Sequence, residues 1–271
     1  MMLSDFSTAD VAAKAIEDLD RVDTTKLWYF VIDEDGNPSP REFGDYKGLL
    51  NAQTGRPITP ITSMYSLADH ADIFGTVLRG LKQTGLDSQA RICVQDDGHF
   101  ARLWMLFPGD DPDLSVGCRL TSSYDRSVTF TNHLIGWWHP GDCAIVLAGP
   151  KELGLHLALP HRAEAFDGLE VKIARMVLAL NNPPAYDYLR ALVECAMNAP
   201  ISFTSVRDKE AVLTDLLKSH KHVRYIVGSI PDVCSRWDIY VAIMRYVTRT
   251  PPSVLIRDRI TARAEEWLRS G

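Results

Sequence analysis

The sequence carries none of the short patterns that mark the common catalytic and cofactor sites. No GxxxxGKS or GxxxxGKT segment offers a phosphate-cradling loop, which argues against P-loop nucleotide hydrolysis. No GxGxxG follows a predicted strand, no HExxH lies on a predicted helix, no CxxC pair offers a zinc knuckle, and no GxSxG supplies a nucleophile for acyl transfer. Long apolar runs are missing too. The first, around Val11 to Leu19, is broken by Lys14, Glu17 and Asp18, and no later run approaches about 18 uncharged residues. The expectation is a cytoplasmic chain, neither secreted through a signal peptide nor spanning a membrane. Cysteine is scarce and odd in number, at 93, 118, 143, 195 and 234, mostly among apolar neighbours. That excludes a disulfide framework and predicts free, buried thiols.

What is present points to a folded chain. Of 271 residues 46% are apolar and 24% charged, enough to bury a core in one large domain or two small ones. The net charge of −6 is unevenly spread: residues 205–271 carry +4 and the first 204 carry −10. A basic C-terminal quarter on an acidic body fits either an anionic partner or solvated helix faces.

Helix signals open the chain, with Val11, Ala12, Ala15, Ile16 and Leu19 on one stripe and Ser7 with Asp10 at capping-box spacing. A strand, Leu27 to Ile32, ends at Asp35-Gly36-Asn37-Pro38. Residues 38–62, rich in Pro, Gly and polar side chains, read as an extended arm or a long loop. A second helix follows: Ser66 caps it, Asp69 completes the box, Ile73, Val77, Leu78 and Leu81 face inward, and Gly85 supplies the stop.

Then come strands: Arg91 to Gln95 and Phe100 to Phe107 about a turn at Asp96-Asp97-Gly98-His99, Leu114 to Thr121 and Val128 to Trp138 about Ser122 to Ser127, and Cys143 to Ala148 after Pro140-Gly141-Asp142. No helix-length link separates them, so the order is an antiparallel meander, with Leu27 to Ile32 as a further edge partner.

The remainder reads as helices on the stripes Leu169-Ile173-Val177-Leu180 and Leu189-Leu192-Val193-Ala196. Capping boxes at Ser205/Asp208 and Ser235/Asp238 open two more, and a last helix follows Pro251-Pro252. The expected fold is α+β: a meander of about five to six strands against flanking helices, with an all-helical C-terminal third. Along the chain this gives an N-terminal segment 1–62, a helix-and-sheet segment 63–204 and a basic helical segment 205–271 that is expected to form one domain with the sheet.

Candidate chemistry is sparse. His220 and His222, two apart, fall on different helix faces, and no third ligand stands at metal-binding distance in sequence, so neither a metal nor a cofactor is expected. Asp142, Glu170 and Lys172 have the residue types of a metal-dependent nuclease triplet. Glu170 and Lys172 nevertheless lie in a segment of helical period, where residues two apart do not share a face. The basic segment offers Lys218, Lys221, Arg224, Arg245, Arg249 and Arg257, interleaved with Tyr225, Trp237, Tyr240 and Tyr246. Cations that track phosphates, with rings that offer stacking faces, are the needs of single-strand nucleic-acid binding.

The segment Ser235-Arg236-Trp237-Asp238-Ile239-Tyr240-Val241-Ala242-Ile243-Met244-Arg245-Tyr246-Val247-Thr248 resembles the closing signature of the uncharacterised phage/plasmid-like protein family (domain of unknown function 932). Tyr65-Ser66-Leu67-Ala68-Asp69-His70 and Ser122-Ser123-Tyr124-Asp125-Arg126-Ser127 are similar too, so the resemblance covers about residues 60–271. Asn132-His133 and Trp137-Trp138 stand where that family has its arginine-to-cysteine-asparagine segment. The resemblance implies a phage or mobile-element setting, in the host cytoplasm or the virion, and no established activity. The expectation is a non-catalytic protein that binds single-stranded nucleic acid. The alternatives are a self-associating structural protein of a phage particle and the nuclease above.

Overall fold

Apolar stripes at helical spacing and runs of β-branched and aromatic residues organise the chain much as expected. The computed structural model describes residues 6–32, 34–62, 65, 68–95, 99–107, 109, 111–124, 130–141, 143–148, 157–159, 167–180, 183–249 and 254–270. The fold is α+β, and the chain forms two units. One holds Met1–Met105, Arg119–Asn132 and His156–Leu178; the other holds Leu106–Cys118, His133–Leu155 and Ala179–Gly271.

The first unit begins with β1 (Ser7–Thr8) and α1 (Ala9–Glu17), followed by β2 (Val22–Ile32), β3 (Pro38–Asn51), β4 (Pro57–Thr62) and α2 (His70–Gln83). Helix α1 buries Ala12, Ala15 and Ile16 and packs on α2, which turns Ile73, Phe74, Val77, Leu78 and Leu81 inward. Gly85 ends that helix region at φ +69°, a conformation glycine adopts without steric cost.

Ser7 does not cap α1. It lies in β1, and its hydroxyl donates to the Ala90 carbonyl, so Thr8 takes the cap position without a side-chain bond. Ser66 lies outside the described residues. Asp69 is the cap residue of α2, but its carboxylate is engaged elsewhere, accepting from the Val22 amide at 3.2 Å and pairing with Arg21 at 3.3 Å.

The extended arm expected over residues 38–62 is in fact two strands. β3 pairs with β2 and with β4, giving a separate three-stranded antiparallel sheet. Leu27 to Ile32 is therefore not an edge of the main sheet. The root of the small sheet is fixed by Val22, Leu49 and Ile61, which pack with buried Tyr124.

The main sheet takes in β5 (Gln89–Gln95), β6 (Phe100–Phe107), β7 (Leu114–Ser123), β8 (Phe130–Trp138), β9 (Cys143–Ala148) and β10 (Ala158–Leu159). Its order is β1-β5-β6-β7-β8-β10, with β9 also on β8, so the predicted meander is present and gains short strands at both ends. The turns predicted at residues 96–98 and 125–127 lie outside the described residues.

In the second unit, α4 (Pro183–Met197), α7 (Arg236–Arg249) and α8 (Val254–Arg269) pack together, and α7 and α8 also pack on β9. Preceding α4 in the chain is α3 (Leu169–Leu180); α5 (Val206–Leu217) and α6 (His220–Ile226) lie between α4 and α7. The C-terminal third is not wholly helical, because β11 (Pro200–Ser202) and β12 (Val233–Ser235) form a short antiparallel pair. Four of the five free cysteines are buried, and Cys195 is exposed. Among the described residues no helix is long and apolar enough to cross a membrane.

Tyr124 joins the root of the small sheet to α2. Its ring stacks on His70 at 3.8 Å, its hydroxyl accepts from the His70 amide at 2.7 Å, and it lies 3.3 Å from the Asp69 carboxylate. Burial pushes its phenol above the ordinary tyrosine range, so the hydroxyl stays protonated. The Tyr124→Phe change keeps the ring and removes the acceptor. The expected cost is about 1–2 kcal/mol, seen as a fall of about 2–6 °C in the calorimetric midpoint. An unchanged midpoint would show that the hydroxyl has no such role.

Candidate nucleic-acid interface

Helix α7 builds the most distinctive surface of the second unit. Its start is set by a reciprocal capping box: the Asp238 amide donates to Ser235 Oγ at 3.2 Å, while Asp238 Oδ2 accepts from the Ser235 amide and hydroxyl at 2.7 Å each. From that start the 3.6-residue period divides the helix. Trp237, Tyr240, Ile243, Met244 and Val247 are buried, and Asp238, Val241, Ala242 and Arg245 recur at i, i+3, i+4 and i+7 along one wall of a groove of about 680 Å³, Asp238 and Arg245 exposed and Val241 and Ala242 buried.

Trp138 at the end of β8, with Pro140 and Gly141, supplies another wall, and Tyr225 of α6 with Tyr246 of α7 a third. Trp138 meets Trp237 edge to face at 5.7 Å, and Tyr225 lies parallel to Tyr246 at 5.8 Å and 9°. Gly141 is required at its position. A Cβ there would sit 2.7 Å from the Trp138 ring, so any side chain displaces the indole.

Two hydrogen bonds tie α7 to β9 and to the turn that follows Trp138. The Val146 amide of β9 donates to the Tyr240 hydroxyl at 3.1 Å, and Arg245 Nε donates to the Gly141 carbonyl at 3.0 Å. The second bond fixes the guanidinium at the groove. Among the described residues Arg245 has no carboxylate partner. Asp238, two turns or about 10 Å away along the helix, has its carboxylate held in the cap.

Beside the groove, Lys221, Arg224 and Tyr225 share one face of α6 at i, i+3 and i+4, all exposed. The Arg224 guanidinium lies 4.6 Å over the Tyr225 ring and donates to its hydroxyl at 2.6 Å. On the buried side, His222 Nδ1 lies 2.7 Å from the Tyr246 hydroxyl. Burial and then the charge of Lys221 push the His222 pKa down, so the neutral imidazole is favoured.

The expected cationic residues therefore separate. Lys221, Arg224 and Arg245 lie at or beside the groove. Lys218 ends α5 in a left-handed conformation and pairs with Asp215, on a different shallow surface with Arg207 and His220. Arg257 lies on α8 and does not line the groove, and the Arg249 side chain lies outside the described ones. Tyr240 is core rather than a stacking face. Sequence reasoning missed Trp138, whose only local signal is its place at the end of a strand before Pro140-Gly141.

The nuclease residues are not brought together among the described ones. Glu170 sits on α3 and pairs with Arg79 of α2 at 2.9 Å, Lys172 is exposed two positions on, and Asp142 lies outside the described residues. His220 is exposed and His222 buried, on different faces as their spacing requires. Among the described residues no group of three or more His, Cys, Asp or Glu side chains is placed to hold a metal ion.

The depressed His222 pKa has a measurable consequence. The folded state disfavours the imidazolium, so below about 6.5 the unfolded chain binds more protons. Stability from this group is whole above that pH and is lost as pH falls toward the folded value. An NMR titration is expected to place the His222 midpoint below about 6.5 and to move it upward in Lys221→Gln. A midpoint at or above the free-histidine value would contradict the assignment. Comparison with known proteins adds no relative: no family model matches the chain, nor does any curated protein or solved structure.

Proposed function

We propose that this protein binds single-stranded nucleic acid through the aromatic groove of its second unit, without chemistry of its own. The observation that carries the reading is the conjunction of Trp138, Tyr225 and Tyr246 with Arg245 in one open groove, beside Lys221 and Arg224. Unstacked bases present flat π faces that rings hold without sequence preference, each contact worth about 1–3 kcal/mol, while the cations meet the backbone. A duplex hides those faces, which favours the single strand. The body is acidic, but at about 0.1 M salt its field is screened beyond about 10 Å, so the local cations decide. The resemblance of residues 235–248 to a phage/plasmid-like family supports a mobile-element setting for this role.

Fluorescence anisotropy with labelled oligonucleotides tests the proposal. Single strands are expected to bind more tightly than duplexes. The logarithmic salt slope is expected near −2, since three cations at about 0.7 each set it. Tyr225→Ala is expected to weaken binding about 5- to 150-fold, and Arg245→Gln to lower both affinity and slope. Absence of binding at about 50 mM salt, where phosphate-driven affinity is strongest, would overturn the proposal.

A further inference from the structure

The three-stranded sheet of the first unit exposes an apolar surface that its own chain leaves uncovered among the described residues. Beyond its root, β2 runs Leu27-Trp28-Tyr29-Phe30-Val31-Ile32 with Phe30 67%, Ile32 64% and Trp28 54% exposed. Alternation places Trp28, Phe30 and Ile32 on one face with Glu42, Pro40 and Pro38, and Tyr29 and Val31 on the other with Arg41, Ser39 and Phe43. Tyr29 and Phe43 are in ring contact at 4.5 Å, yet both remain exposed. Both faces thus leave large aromatic and aliphatic side chains of β2 wet, which packing against the rest of the unit does not explain.

The edges of this sheet differ in a way that selects one of them. β3 lies between β2 and β4, so the outer edge of β2 has no strand partner among the described residues. Prolines, which cannot donate to a ladder, stand on the other open edges: Pro57 and Pro60 in β4, and Pro38 and Pro40 in the distal part of β3 that β4 does not reach. β2 carries no proline and, from 27 to 32, no charge. A long, apolar, unguarded edge strand is a template for another strand.

We infer that this edge pairs with the β2 edge of a second copy of the chain, antiparallel about a two-fold axis, joining two three-stranded sheets into one of six. A two-fold antiparallel pair sets the same uncharged segment against itself, so no like charges meet. Along the joined edge Trp28, Tyr29 and Phe30, 40–67% exposed, stand beside their counterparts of the second copy, so cross-strand ring contacts add to the backbone ladder. The prolines on the remaining edges close the assembly at two.

Sedimentation or light scattering across concentration tests this. The expected mass is twice the chain's 30.3 kDa at roughly 100 µM, where even a ~10 µM dimer is mostly associated. Trp28→Asp with Phe30→Asp is expected to raise the dissociation constant at least tenfold while leaving circular dichroism unchanged. Val31→Pro probes the backbone instead of the rings and is expected to do the same. Hydrogen exchange over residues 27–32 is expected to slow as concentration rises. A monomer throughout, larger assemblies, or a dimer that the aspartate pair leaves intact with unprotected 27–32 amides would overturn the inference.

Discussion

The candidate site depends on how α7 is held against β9 and the turn before it. Two hydrogen bonds make this seam, from the Val146 amide to the Tyr240 hydroxyl and from Arg245 Nε to the Gly141 carbonyl. Each is worth about 0.5–1.5 kcal/mol net, and the Ser235 cap adds about 1 kcal/mol. The larger penalty is for breaking the first, since a buried amide left without a partner costs about 1–3 kcal/mol. One helix register therefore satisfies the cap, the buried tyrosine and the arginine together. A slip of one residue turns Arg245 by about 100° and removes it from the groove.

The same seam explains why the cation keeps its charge available. Arg245 spends one donor on a neutral carbonyl rather than on a carboxylate, which positions the guanidinium without neutralising it. Lys218, by contrast, is paired with Asp215 at short range, and Arg79 with Glu170. Cations used up in local pairs and a cation held by a carbonyl beside aromatic walls play different parts, though all look alike as letters in a sequence.

Much of the fold was legible because its signals are local. The boxes at Ser205/Asp208 and Ser235/Asp238 span three residues, and both open helices. Phe100 to Phe107, almost wholly buried, could hardly be anything but an inner strand. What stayed hidden has physical reasons. In residues 38–62 the prolines suggested a loop, yet proline is tolerated on open edges, and a ribbon wet on both faces shows no alternation of polar and apolar residues to detect. Ser7 had capping spacing, but its hydroxyl found a partner 83 residues away. At the site, the cations and Tyr225, Trp237 and Tyr246 were visible. The wall formed by Trp138 was not, because it joins residues about a hundred positions apart through sheet pairing that no local pattern encodes.

The central claim is that the groove between Trp138, Tyr225, Tyr246 and Arg245 receives unstacked bases. The most direct measurement is photocrosslinking with a single-stranded oligonucleotide carrying a photoreactive pyrimidine, followed by peptide mapping. The account predicts adducts on Tyr225, Tyr246 or Trp138, lost under competition by unlabelled single strands. Adducts confined to the first unit, or none at saturating oligonucleotide, would contradict it.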